Sequence, residues 1–536
     1  MKIRADILRH YQVLHTWTGI IAGLVLFIGF YAGSLTMFKP QIQQWATPPT
    51  QQLASVAAEQ LDTLVSKAQS EFAEAKQGFI INLTDNASPM YWYENGGGRG
   101  IRLDDAIRHA SIDEYGELVT TASSTNELAN LIDQLHRTAG IVGKVGHEDL
   151  GVLILGIAAV LYFIALISGL IFLLPTLVKS LFALRQNKGA NRFWLDSHNL
   201  LGILSYPFHV IIAWTVVVFA FHDLFYGGLS LIYGDKPLFE PQPRSEVTYT
   251  VDQLAPMQTY LLKANEIAPN YEVTKLEFSG LEGSRPSLAI EVTAESRMTR
   301  GGYSDFIFLN PYTMDIQFTT ANAEESGAYA AIVTSFFGLH FGNYAGMAGR
   351  WLYFIMGLLG AMVFYSGNLL WLEKRRLKSS EQSKSCRIMA ALTVGVCLGS
   401  MLAVAITILA TKWLYLLSGN INSHYMWTYY AVFFAAIAYS FTRGAAISAI
   451  HCLYSLAIAC LFIPISSLFS NYIANSPWYL SSMPGSAVDW VAIILGVGFF
   501  ILARKTKQRA LYGERNSIWA ITTESKASQQ NTIQTV

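Results

Sequence analysis

Histidine and glycine recur along this chain in two settings, each used twice. The first setting is His15-Thr16-Trp17-Thr18-Gly19, which opens the first long apolar run, and it returns as His198-Asn199-Leu200-Leu201-Gly202. The second is Leu135-His136 followed by Gly140, Gly143 and Lys144, just ahead of another apolar run. It returns as Leu339-His340 followed by Gly342, Gly346, Gly349 and Arg350. The alternating order reads as an internal duplication of one helix–loop–helix unit. A histidine in or beside a bilayer helix is costly unless it has a partner. Neutral imidazole ligates haem iron while the porphyrin packs against apolar side chains. Four histidines at matched places supply two axial pairs. Gly19 and Gly202 follow their histidines by one helical turn and leave room on the same face for a flat macrocycle.

The helices that must hold these residues are written in the composition. Only 14% of the 536 residues are charged and 52% are apolar, whereas soluble proteins carry about 25% charged residues. Apolar runs of spanning length, about 20 residues, fall at 16–38, 151–175, 199–221, 351–372, 387–411, 426–442, 445–469 and 486–503. The first is too long for a signal-peptide core and is expected to stay as a membrane helix. Basic residues gather before the first run, after every second run and behind the last, among them Lys179, Arg185, Lys188, Arg192, Lys374, Arg375 and Arg376. By the positive-inside rule both termini face the cytoplasm, and the long connections 40–147 and 223–338 lie outside.

Each long connection is too long for a bare loop. The first reads as a helix from Leu53 to Phe72 with strands at Gly78–Leu83 and Met90–Tyr93, then a Gly96-Gly97-Gly98 turn. The second reads as a helix from Val251 to Ala268 with strands at Val273–Phe278, Ser287–Val292 and Asp305–Leu309. Both are α+β modules and read as copies of one another. The expected fold is a mainly α polytopic membrane protein: a four-helix haem-binding transmembrane core, two α+β modules and a C-terminal four-helix transmembrane appendage. The expected divisions are 1–39, 40–147, 148–222, 223–338, 339–376, 377–510 and a cytoplasmic tail, 511–536, polar and expected to be disordered from Glu514.

Depth along the helices pairs the ligands. His15 and His198 enter from the cytoplasmic side and share one level; His136 and His340 share the other. His209, after Pro207 and about 16 Å deeper than His198 on a regular helix, is a further candidate, chiefly for the outer pair; its other reading is a buried histidine bonded to a neighbouring helix. His222 beside Asp223 reads as an interfacial hydrogen-bonder, and His451 beside Cys452 as a packing residue. His10, His109, His147 and His424 read as solvated or interfacial. The four cysteines, Cys386, Cys397, Cys452 and Cys460, sit in or beside the C-terminal runs, and no Cys-x-x-Cys-His attaches a c-type haem. Tyr91, Trp92, Tyr93, Arg99 and Arg102, and likewise Arg297, Arg300 and Tyr303, mix aromatics with arginines around the outer hairpins. They suit either an anionic ring-bearing ligand or plain sheet packing with solvated turns.

The first four runs carry no Asp, Glu, Lys or Arg in their cores, which argues against a charge-coupled carrier. No Gly-x-Gly-x-x-Gly on a strand–helix turn offers a nicotinamide or flavin site on the cytoplasmic side. Electrons must arrive from a quinol or a separate reductase. Zero net charge gives no argument for nucleic acid.

The motifs as a set resemble the PepSY-associated transmembrane helix family of bacteria. They are His-x-Trp-x-Gly at the first run, Leu135-His136-Arg137, Pro207-Phe208-His209, Leu339-His340-Phe341-Gly342 and Gly349-Arg350-Trp351-Leu352-Tyr353. The Asn310-Pro311-Tyr312-Thr313 turn is similar to one in that family's outer domains. The likeness covers about residues 1–376, and Asn199 departs from it where the family often has Arg. The resemblance implies an inner-membrane protein of iron-regulated type that holds two b haems on His15, His198, His136, His340 and His209. It further implies reduction of a periplasmic ferric chelate or siderophore by outer-sphere electron transfer, with the lipid bilayer as scaffold and no acid–base catalytic residue. The alternatives are a haem-free protein whose outer modules bind a periplasmic partner or peptidase, and a carrier of iron chelates.

Overall fold

The computed structural model describes residues 4–49, 53–84, 88–95, 103–146, 148–180, 183–185, 189–234, 247–295, 297–323, 327–378, 381–417, 419–480 and 486–521. Gly96, Gly97, Gly98, Arg99, Arg102, His147 and Lys188, singled out above, lie outside the described residues.

Helices α1 (Ala5–Thr36), α2 (Lys39–Ala46), α3 (Leu61–Glu71) and α4 (Ala73–Gln77) precede strands β1 (Gly78–Asn82), β2 (Met90–Asn95), β3 (Ala106–Ile112) and β4 (Leu118–Ser124). Next come α5 (Leu128–Thr138), the small hairpin β5 (Lys144–Val145) and β6 (Glu148–Asp149), α6 (Leu150–Leu173), α7 (Leu177–Ser180), α8 (Ala190–Leu204) and α9 (Tyr206–Tyr233). The second long connection holds α10 (Met257–Ile267), β7 (Glu272–Ser279), β8 (Ser287–Thr293), β9 (Asp305–Leu309), β10 (Ile316–Thr319) and α11 (Ala328–Phe341). The chain ends in α12 (Gly346–Lys374), α13 (Lys384–Leu392), α14 (Gly399–Leu414), α15 (Ile421–Arg443), α16 (Ala445–Ser470) and α17 (Ala487–Tyr512). These form two compact units. One comprises Met1–Ala46, Leu128–Ala220 and Phe354–Val536; the other comprises Thr47–Glu127 and Phe221–Tyr353.

In the helical unit, α1 packs along α6, α14 along α15 and α16, and α16 along α17. Among the described residues seven helices are long and apolar enough to span a bilayer, so the chain is a multi-pass membrane protein. That is one fewer than the eight runs read from the sequence. The run at 426–442 lies in α15, which is 23 residues long but carries a Tyr- and Asn-bearing first half and falls outside those seven. The run at 199–221 is not one helix either. α8 ends at Leu204, Ser205 turns out of helical geometry, and α9 restarts at Tyr206. Pro207 is the cause: it has no N–H to give the preceding turn, and its ring clashes there. The 16 Å separation expected of a regular helix between His198 and His209 therefore does not apply.

The sheet unit joins the two long connections into a single eight-stranded antiparallel sheet of order β10-β9-β8-β7-β1-β2-β3-β4. Each connection supplies a helix and a four-strand meander, so the two are alike in plan, but they are not separate modules: their first strands pair with each other, Gly78 opposite Ser279 through Asn82 opposite Lys275. Phe79 stacks on Phe278 at 4.5 Å across that joint. Gly78 is required there, since a Cβ would stand 2.6 Å from the Phe278 carbonyl oxygen. Helices α3 and α10 lay Leu61, Leu64, Val65, Met257, Tyr260 and Ala264 onto one face of the sheet against Ile81, Trp92, Leu276, Ile290 and Leu309. The Asn310 turn is an Asx turn, with Asn310 Oδ1 accepting from the Tyr312 N–H at 2.9 Å.

Residues 513–521, the start of the tail expected to be disordered from its polarity, fold back onto the helices, and the rest of that tail lies outside the described residues. Trp519 is buried with α13, α14 and α16 residues in one core, and the Ile521 N–H bonds back to the Ala510 carbonyl at 3.0 Å. Arg376 and Arg509 both reach Glu373, which is almost fully buried, at 3.4 and 2.6 Å. Arg376 also pairs with Glu514 at 2.5 Å.

Candidate functional site

The helices reach further than the apolar runs, so His15 and His198 sit inside α1 and α8 rather than at their mouths. His136 and His340, expected just outside a helix, stand on the last turns of the short helices α5 and α11.

Three of these imidazoles are held in one way. His15 Nδ1 donates to the Ala165 carbonyl of α6 at 2.8 Å, and Gly169, four residues on, leaves the space: a Cβ there would stand 2.8 Å from His15 Nδ1. His198 Nδ1 donates to the Val363 carbonyl of α12 at 3.1 Å and lies 3.3 Å from Ser366 Oγ. Gly367, again four residues on, would bring a Cβ to 3.3 Å from His198 Cε1. His136 Nδ1 donates to the Gly29 carbonyl of α1 at 2.8 Å, and a Cβ on Gly33 would stand 2.6 Å from it. A carbonyl at one position and glycine one turn later let the ring lie flat on the partner helix. Because a carbonyl can only accept, each Nδ1 carries a proton, which leaves Nε2 as the nitrogen that a metal would take.

His15 and His198 are brought together. Their ring centroids are 6.0 Å apart with planes inclined at 60°. A metal–imidazole bond of about 2.0 to 2.1 Å on each side of one ion, plus about 1 Å from each nitrogen to its ring centre, requires a separation of about 6 Å. The pair thus fits two axial ligands of a haem iron. The fold thus brings together two of the five histidines singled out from the sequence, His15 and His198.

His209 is a different case. It is fully buried, ringed by Phe30 at 5.6 Å, Tyr162 at 5.8 Å and Phe208 at 5.7 Å. Its Nε2 is 2.7 Å from Ser205 Oγ, whose own proton goes to the Leu201 carbonyl at 2.6 Å. Nε2 is therefore the protonated nitrogen, and the buried Nδ1 has no hydrogen-bond partner among the described residues, an arrangement that calls for explanation. His340 belongs to the sheet unit, 9% exposed, with its ring edge-on to Phe341 at 5.5 Å. His222 bonds Asp223 at 3.2 Å, in keeping with its interfacial reading. His451 is exposed, lies 2.6 Å from Tyr439 Oη and stacks on that ring at 5.9 Å.

Gly19 and Gly202 touch nothing within 4 Å of where a Cβ would be. The glycines that seat the rings are Gly169, Gly367 and Gly33, on the partner helices. Sequence reasoning looked one turn along the histidine's own helix and missed them; the signal was a small-residue gap on the neighbouring helix, which has no address until the helices are paired.

No curated protein matches the chain. The description "PepSY-associated TM region" matches residues 12–374, which takes in all five histidines and the whole of the sheet unit. By that match over more than half its length, this multi-pass membrane protein belongs to the PepSY-associated TM region family.

Proposed function

We propose that the chain is a dihaem b protein of the bacterial inner membrane that passes electrons outward to a periplasmic ferric chelate, acting as a ferric-siderophore reductase in support of iron uptake. The observation that carries this reading is the His15–His198 pair: two imidazoles at ligand spacing, each with Nδ1 anchored on a backbone carbonyl of another helix. When bound there, haem supplies a one-electron carrier. The chain's own residues fix its ligands and seat them against glycine, while Phe30 and Tyr162 close around His209. A second haem takes His136 as one ligand, with His209 and His340 as the candidates for the other. The basic residues behind every second run support an orientation with both termini in the cytoplasm and the sheet unit in the periplasm. The donor is a quinol or a separate reductase.

The test is the oxidised and dithionite-reduced absorption spectrum of the detergent-purified chain, with haem quantified per chain. Sharp reduced bands of low-spin b haem, about two haems per chain, and loss of one haem in His15→Ala and in His198→Ala are expected. A colourless protein, after expression with ample haem supply, overturns the proposal and leaves the haem-free reading, a membrane protein whose outer unit binds a periplasmic partner.

A further inference from the structure

The segment from Arg297 to Tyr303 wraps the last turn of α11, the turn that carries His340. Met298 fills the space over Gly338, whose Cβ would stand 2.7 Å from the Met298 Cβ. Asn343 Nδ2 donates to the Thr299 and Gly301 carbonyls at 3.1 and 2.8 Å, and its Oδ1 accepts from the Thr299 N–H at 3.3 Å. The buried Asp305 accepts from the Arg300 N–H at 2.9 Å. The segment is thus fastened on both sides of His340, to Gly338 before it and Asn343 after it.

What this fastening presents is cationic and aromatic. The Arg300 guanidinium lies over Phe318 at 5.4 Å and Phe337 at 5.6 Å. Arg350 lies over Tyr303 at 4.1 Å, and Arg297 lies over Tyr271 at 5.6 Å while giving a hydrogen bond to Asn322 Oδ1 at 3.2 Å. Among the described residues neither Arg300 nor Arg350 makes an ion pair. A guanidinium laid on a ring keeps its planar edge of N–H donors for an anion. Phe318 and Tyr329 nearby are 47% and 65% exposed and leave aromatic surface open beside the guanidinium. Tyr226, whose hydroxyl is 3.4 Å from that of Tyr329, is within the electrostatic reach of Arg300.

We propose that the Arg297–Tyr303 segment and the corner after α11 bind a polyanionic iron chelate whose iron is wrapped by aromatic, catecholate-type rings. This rests on the electron-transfer reading for its purpose but not for its test. Phenolate oxygens pair with the guanidinium edges, and the ligand's rings stack on the exposed aromatics. A neutral hydroxamate chelate offers neither the charge nor the ring.

The experiment titrates the full chain in detergent with ferric tris-catecholate and, separately, with ferric acetohydroxamate, by calorimetry. The catecholate complex is expected to bind, more weakly as salt rises. Arg300→Gln and Arg350→Gln are each expected to weaken it about ten-fold or more. Hydroxamate is expected neither to bind comparably nor to compete. Equal binding of the two chelates, no binding of catecholate, or wild-type affinity in both variants would overturn the site. Should Arg300→Gln fail to fold, Arg350→Gln and the salt dependence of the unaltered chain decide. The haem spectrum of the same samples separates the two ideas. Binding by a haem-free chain sinks the electron-transfer reading alone, and a haem-loaded chain indifferent to catecholate sinks the site alone.

Discussion

Replacing Gly169 with alanine puts a methyl group 2.8 Å from Nδ1 and 2.9 Å from Cε1 of His15. Ordinary contact begins near 3.4 Å, so the ring must retreat by about half an ångström. The Ala165 carbonyl that holds Nδ1 at 2.8 Å lies one turn away on the same helix, so a retreat from Gly169 stretches that bond past the usual limit of about 3.2 Å. Loss of such an anchor typically costs about 10- to 100-fold in metal affinity, or about 1.4 to 2.7 kcal/mol. The fold itself should not suffer, because alanine is the better helix former by about 1 kcal/mol. Gly498→Ala, on α17 with open space around it, is the control. Gly367→Ala acts on the same pair but meets His198 only at 3.3 Å, so it should do less. The assay is haem per chain and the rate at which haem passes to an apo-acceptor, read by absorption. The expected order of loss is Gly169→Ala, then Gly367→Ala, then Gly498→Ala. Haem content and release rate in Gly169→Ala equal to those of Gly498→Ala would refute the reasoning, because His15 would then not be a ligand held through Ala165.

In the sheet unit, burial pushes His109 on β3 down to about 4 from an ordinary 6.5. The unfolded chain then binds more protons than the folded one between those values, so stability is present above about pH 6.5 and lost as pH falls toward 4. The loss is no more than about 3 kcal/mol, less for the part of the ring that is solvated. Protection factors of the β3 and β4 amides, taken against the intrinsic exchange rate at each pH, should fall at pH 5 relative to pH 7, and His109→Gln should flatten that difference; an unchanged pH profile in the variant would remove His109 as the cause. Glu373→Gln leaves Arg376 and Arg509 facing a neutral group, and by analogy with broken buried pairs should cost about 3 kcal/mol, reduced because both arginines are partly exposed. A thermal melt of the purified chain equal to wild type would show that the cluster adds nothing.

The spans, the paired histidines and the helix-plus-strands plan of the outer segments were legible because each is a local pattern of period or spacing. Strand β9, Asp305–Leu309, stands where its alternation put it. β4, Leu-Val-Thr-Thr-Ala-Ser-Ser, has no apolar alternation to read, because it is an edge strand with no heavily buried face. α5 did carry a signal that went unused: Leu128, Leu131, Ile132 and Leu135 recur at helical spacing and all are buried. The joint between β1 and β7 links strands almost two hundred residues apart, and nothing local marks it beyond one glycine. The seats of the histidines were hidden for the same reason. A glycine on α6 gains its meaning from a ring on α1, and only the packed helices bring the two together.

The two halves are not exact copies, and the difference bears on the proposed second haem. His15 and His198 both rest on a carbonyl with glycine one turn later, so the repeat keeps that device in both halves. His136 rests on Gly29 and Gly33 of α1, which follow His15 by 14 and 18 residues. The same intervals from His198 fall on Ile212 and Val216. A β-branched residue stands at each place, so the second half does not repeat on α9 the seat that His136 has on α1. What that half holds instead is His209, buried, with an open Nδ1. A bare imidazole nitrogen sealed in an aromatic cage is a cost without a ligand and an asset with one. We therefore expect His209→Gln to lower haem from about two to about one per chain, and His340→Ala to leave about two. Glutamine reproduces the Nε2 donor to Ser205 Oγ but offers nothing where Nδ1 was, so a collapse of the fold is not the expected cause of the loss. The reverse outcome, loss with His340→Ala and retention with His209→Gln, would restore the symmetric pairing and make the break at Ser205 a structural feature alone.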